Sequence, residues 1–295
     1  MKLSSDYLFS MRNVRVGRIS YMNVAPVYYG LNNGHKPRWM DMVCAPPAVL
    51  NTRLAKGELD ISPVSSAAYA RNQKEWLLLP DLSISCFGEV MSVLLVSRYP
   101  FEQLDGKSVV LTRDSAAAAA LTRYLFASQK ICPQFETGKI LCPDDLPHQA
   151  GAALVIGDAA LKENWSAHFD HVWDLGEMWM EFTRLPFVFA LWAVRRQFAE
   201  ENPESVSAVI EEFQRSKLLG KQNISRILPL ASEKLGISTD TCDQYYQRLH
   251  YDLSHLQIRG LERFFNGLYR ERIIPEPVNL SFFHEERTFS MVRAA

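Results

Sequence analysis

Four places in the 295-residue chain put a small polar side chain where an apolar run gives way to a helical pattern. They are Asn23 in RISYMNVAP, Ser65-Ser66 in ISPVSSAAYA, Ser115 in TRDSAAAAAL, and Gly157-Asp158 in VIGDAAL. The first turn of a helix carries unpaired N–H groups and partial positive charge. A hydroxyl or amide beside it therefore suits a carboxylate or another small anion. The same residue types also cap helices with no ligand involved, and Ser66, Ser115 and Asp158 are each explained equally well as N-caps. Their recurrence at the mouth of one inferred cleft favours a shared anion site over separate caps.

Familiar catalytic templates are missing: the chain contains no GxSxG, HExxH, P-loop or GxGxxG. The histidines are scattered, with His168 and His171 in a polar loop and His250 and His255 on the C-terminal helices. Glu89 in CFGEVMS and Glu177 in DLGEMW are acids within reach of a loop site, although loop glutamates are ordinarily solvated. Cys44, Cys86, Cys132, Cys142 and Cys242 form no CxxC pair and have no His at metal spacing. Reduced cysteines are expected, with no metal and no cofactor.

The elements that must hold the polar residues alternate between strand and helix. VRVGRISYM reads as a strand that ends at Asn23, because Pro26 lacks a backbone donor and turns Ala25 away from the helical region. Pro26 then opens a short helix. MDMVCA is a second strand, and PPAVLNTRLAKGELD a helix with Val49, Leu50 and Leu54 on one face, closed by Gly57. ISPVSS runs from strand into helix, and DLSISC and VMSVLLVS are β-rich runs around Gly88. The pattern restarts at Asp105-Gly106 with SVVLT, the loop Arg113–Ser115 and an alanine-rich helix, then AALVIG and DAALKEN. LPFVFALWAVRR is an apolar strand returning toward the first half. Beyond Pro203 the chain is helical, and its last helix opens on a capping box of Ser254 and Gln257. The result is two α/β lobes, 12–97 with 196–295 and 98–195, crossing near 97 and 195, with a small-molecule cleft between them.

Hydrophobic residues make up 47% and charged residues 22%, with a net charge of -1, which excludes a disordered chain and disfavours nucleic acid as partner. No apolar run reaches the length of a membrane span. MKLSSDYLFSMRNV lacks a signal-peptide core, so a cytoplasmic protein is expected, with residues 1–10 as a disordered extension. Oligomeric state is not legible.

The phrases together are more specific than any one of them. IxYxNxxP at 19–26, LNxxLAxGELDISPVSSxxYA at 50–70, LPDLSISxxGxVxSVLLVS at 79–97, IGDxAL at 156–161, DLGExW at 174–179 and LPFVFAxW at 185–192 resemble the chorismate dehydratase family of the futalosine route to menaquinone. The likeness extends from about residue 12 to 272. It implies a type II periplasmic-binding-protein fold turned to catalysis, and the loss of water from chorismate to give 3-[(1-carboxyvinyl)oxy]benzoate. By the family pattern the functional pair falls on Asn23 and Ser92; without it, Ser92 reads as a small residue in a packed strand. With the strand-end positions, the expected substrate-binding set is Tyr21, Ser65, Ser66, Ser115, Ala116, Ala117, Gly157 and Asp158.

Two positions depart from the family pattern. Ala116-Ala117-Ala118 stand where hydroxyl residues usually follow the serine, leaving Ser115 and backbone N–H groups. Arg184 replaces a usual glycine and is either a compensating cation at the cleft or a solvent-facing side chain. Two rival readings remain. One is a non-catalytic carboxylate-binding protein of the same fold. The other is the later, similarly folded enzyme of the pathway, whose Pro-Asn-Asp-Thr stretch SYMNVAP does not match.

Overall fold

In β1 (Val14–Ile19), Val14, Val16, Gly17 and Ile19 are buried while Arg15 and Arg18 are half covered, so both faces of the strand are largely packed. The computed structural model describes residues 13–284; the extension expected at 1–10 lies outside them. After β1 come α1 (Ala25–Gly30), with Pro26 in its first turn, β2 (Met40–Ala45), α2 (Pro47–Ala55), β3 (Ile61–Ser65), α3 (Ser66–Asn72) and β4 (Trp76–Cys86). β5 (Val93–Ser97), β6 (Ser108–Thr112), α4 (Ala116–Ser128), β7 (Gln134–Gly138), β8 (Ala150–Ile156), α5 (Asp158–Lys162), β9 (His171–Asp174) and α6 (Leu175–Thr183) follow. The chain ends with β10 (Phe187–Arg195) and α7 (Arg196–Glu201), α8 (Pro203–Gln222), α9 (Ile224–Leu235), α10 (Thr239–Arg248) and α11 (His255–Arg270).

Among the described residues the strands form two sheets of one design, β2-β1-β3-β10-β4 and β7-β6-β8-β5-β9. In each, three neighbouring strands are parallel and the fourth, the linking strand, runs antiparallel to both its neighbours. The expected boundaries at 97 and 195 each miss by one strand. Residues 93–97 belong to the second sheet and 187–195 to the first, so the chain changes sheet before Val93 and before Phe187. An apolar strand buried on both faces carries no mark of which sheet it joins.

Smaller differences have local causes. Val49 is 46% exposed, and only Leu50 and Leu54, one turn apart, face inward from α2. β4 continues through Pro80 by a bulge: Asp81 adopts φ 55°, and the pairing with β10 shifts between Leu191 and Ala193. β7, with Phe135 as the single apolar residue of QFETG, has no counterpart among the expected strands.

Aromatic rings join the two halves. Phe264 of α11 lies 4.9 Å from Phe187, 5.8 Å from Trp179 and 6.4 Å from Tyr124, side chains from β10, α6 and α4. Gly267 allows this approach, since a Cβ there would stand 2.4 Å from the Tyr124 ring. At the opposite end of the first sheet from the strand C-termini, the fully buried Asp60 accepts from Arg15 Nη2 at 2.6 Å and Arg195 Nη2 at 3.1 Å. Burial opposes its ionisation, but these guanidinium bonds prevail and hold the carboxyl below its ordinary range.

Candidate functional site

The parallel strands of both sheets point their C-terminal ends at a common cleft of about 1030 Å³, counting its open mouth. Such a crevice is where open α/β sheets present loops and helix starts to ligands. From the first sheet come Ile19, Tyr21, Met22, Asn23, Asn51, Ser65, Ile84 and Phe189. The second contributes Ser92, Arg113, Asp114, Ser115, Ala116, Ile156, Gly157 and Asp158, while Leu235, Tyr245 and Leu249 reach in from the C-terminal helices and the turn after them.

Asn23 lies between β1 and α1, where the strand has ended. Tyr251 Oη donates to its carbonyl at 2.7 Å, and Tyr246 Oη donates to the Met22 carbonyl at 2.6 Å. The backbone is thereby held and the side chain is free for other use. Its Oδ1 is buried and meets no hydrogen-bond donor among the described residues. Asn51 Oδ1, on α2, is in the same condition and lines the same cleft. Buried amides without partners are uncommon because each forfeits a hydrogen bond it had with water. Both residues line one cavity, which makes their amides candidates for contact with a polar ligand.

Ser92 is buried, and its carbonyl accepts from the Gly157 N–H at 2.8 Å. Its hydroxyl stands beside the Tyr245 phenol. Burial pushes that phenol up to about 12, and the Ser92 hydroxyl pulls partly against this. The Tyr21 phenol is also raised, first by burial and then by the charges of Asp114 and Asp158. Asp174, at the end of β9, caps α6 and also accepts from the loop before Ser92: Val90 N at 3.0 Å and Met91 N at 2.6 Å on Oδ2, Gly176 N at 2.8 Å and Glu177 N at 3.2 Å on Oδ1. Burial pushes its carboxyl up to about 6 against the pull of those four donors.

The model of a family described as "Menaquinone biosynthesis" matches residues 14–270. The chorismate dehydratase of Thermus thermophilus is 30% identical over 275 residues, covering 88% of this chain and 96% of that relative. This chain belongs to the chorismate dehydratase family. Solved structures agree on the fold. An Archaeoglobus fulgidus protein superposes with a TM-score of 0.69 at 18% identity, covering 88% of this chain and 98% of its own. The periplasmic aliphatic sulphonate binding protein SsuA from Escherichia coli gives 0.62 at 15% identity, covering 91% and 96%. The architecture is the two-lobed periplasmic-binding-protein fold.

For this member of the family, the cleft brings together Tyr21, Asn23, Ser65, Ser92, Ser115, Ala116, Gly157 and Asp158, and leaves out two expected residues. Ser66 does not line it. Ser65 caps α3 by accepting from Ala68 N at 3.1 Å, and Ser66 Oγ is buried behind it. Ala117 is turned into the core under α4, whose cap is Ser115, accepting from Ala118 N at 3.2 Å. Asp158 is no cap either, since Gly157, at φ 63°, holds that position and Asp158 follows, exposed at the cleft.

Arg184 is solvent-facing, a left-handed terminus of α6 away from the cleft lining; the cation in the lining is Arg113. His171 begins β9 and stacks on Trp173 at 5.4 Å instead of lying in a loop. Glu89 pairs with Arg248 at 2.7 Å. Asn51, Arg113 and Tyr245 were not expected at the site. The phrases LNxxLA and YYQRLHYDL contained two of them, but nothing local distinguishes a cleft amide from any helical asparagine. Among the described residues no three His, Cys, Asp or Glu side chains gather where they could hold a metal, and no helix is long and apolar enough to cross a membrane.

Proposed function

We propose that the chain is a chorismate dehydratase, a hydro-lyase that converts chorismate to 3-[(1-carboxyvinyl)oxy]benzoate for menaquinone biosynthesis in the cytoplasm. The observation that carries this reading is the unpartnered Asn23 amide oxygen in the same cleft as the buried Ser92, in a chain of this family. The proton on the ether-bearing ring carbon leaves, its C–H electron pair becomes the new ring double bond, and the ring C–OH bond breaks. Proton and hydroxide depart as water, and aromatisation makes the step strongly downhill. The protein then has chiefly to hold one conformer and to hydrogen-bond the departing hydroxide.

The acids in the lining, Asp114 and Asp158, belong to the second sheet's wall, and Glu177 is exposed on α6. We assign the proton to the enolpyruvyl carboxylate of the substrate itself, with Asn23 and Ser92 orienting substrate and leaving group. Ser115, Ser65 and the α4 N-terminus receive carboxylate oxygens, and Arg113 adds a cation beside the alanine run, which has no hydroxyl donors. Purified protein incubated with chorismate should form the aromatic product, followed by mass. Unchanged chorismate at high enzyme concentration would overturn the reading in favour of a carboxylate-binding protein of the same fold.

A further inference from the structure

We propose that Asp174 is a positioning residue for Ser92, tying the loop that carries the serine to the start of α6; this rests on the dehydratase reading above. Arg248 holds the loop from outside through Glu89, and Asp174 holds its backbone from within. Met91 sits at φ 64° and Gly88 at φ 93°, and a methionine in the left-handed region needs outside support. The carboxylate supplies it by taking two loop N–H groups on one oxygen and two helix N–H groups on the other. An ordinary N-cap needs one oxygen, so the second is committed to the loop. Gly176 completes the fit, because a Cβ there would lie 2.5 Å from the Gly88 carbonyl and 2.7 Å from Cys86 Sγ. With Gly157 N–H on its carbonyl, Ser92 is held from both sides, and its hydroxyl is aimed by backbone that Asp174 fixes.

Asp174→Ser keeps a helix cap but cannot reach the loop. It should lower kcat for chorismate by about 10²-fold with KM within about threefold, the cost of misplacing one preorganised group. Loss of a merely structural residue would multiply with loss of Ser92. A residue acting through Ser92 should instead cost less than about threefold further when placed in the Ser92→Ala background. Multiplicative losses, or unchanged kcat in Asp174→Ser, overturn the proposal. If Asp174→Ser does not fold, Gly176→Ala retains the carboxylate and wedges the loop, and the same non-additivity with Ser92→Ala is required. Amide exchange of the wild-type protein gives an arm independent of turnover: Val90 and Met91 should exchange at least about 10²-fold more slowly than free chain. Free exchange there sinks the tether even if chorismate is consumed. Absent turnover with protected amides sinks the dehydratase reading, and with it the catalytic purpose of the tether.

Discussion

The two walls of the cleft are built on sheets of the same strand order but differ in what they present. The first wall is neutral and desolvated: Asn23 and Asn51 with buried, unpartnered oxygens, set among Ile19, Ile84 and Phe189. The second is charged and wet, with Arg113 and Asp158 exposed and Asp114 half covered. Fixed dipoles act most strongly where water is excluded, because nothing screens them and no reorganisation is needed during reaction. Exposed charges steer and select a ligand, but salt and solvent weaken them. The difference teaches a division of labour. On the proposed function, chemistry falls to the first wall and to the loop that crosses between the sheets, and recognition to the second.

The strongest way to break that division is at Asn23. Asn23→Ala and Ser92→Ala should each lower kcat by on the order of 10²-fold or more, with smaller effects on KM. Steady-state kinetics showing a larger kcat loss in Asp158→Asn than in Asn23→Ala would reverse the assignment of the walls.

Acid should act next, through the tether to Ser92. With its folded value raised to about 6, Asp174 takes up a proton as pH falls through 6, and kcat should drop towards tenfold per pH unit below it. The linkage runs the other way. A raised carboxyl contributes stability that is fully present below its unfolded value near 4 and is lost as pH rises through about 6. Acidifying from pH 7 to 5 should therefore cost activity without this group costing thermal stability. The charged and titratable groups around it are the Cys86 thiol, held protonated chiefly by burial, Glu177 on its own helix and Glu89 on the loop, engaged by Arg248. Parallel losses of kcat and Tm over that range would refute the prediction.

On the second wall, Ser115→Ala should raise KM more than it lowers kcat, and should cost about 0.5–2 kcal/mol of stability as a lost N-cap. Arg113→Ala should raise KM by a factor that shrinks with added salt, since the guanidinium is exposed. A salt-independent KM would remove the charge from recognition. The smallest effect is expected at Glu177→Gln, where near-normal kcat fits a substrate-borne base and an abolished kcat with the fold intact would refute it.

Much of the architecture is legible in the chain itself, because its signals are local. Pro26 stands in the first turn of α1, the apolar runs of VRVGRI and SVVLT mark β1 and β6, and serines stand at the starts of α3 and α4. The likeness of its phrases to one family likewise requires no coordinates. Tertiary structure alone decides which of two adjacent serines faces the cleft, since one step along the backbone turns Ser65 outward and Ser66 into the core. It alone assigns β5 and β10 to their sheets, because pairing of a fully buried strand is settled by its neighbours and not by its own pattern. Asn51, Tyr245 and the Asp174 tether belong to the same class. Their partners lie far off in sequence, and what makes each one matter is a hydrogen bond, made or missing, that exists only once the chain has folded.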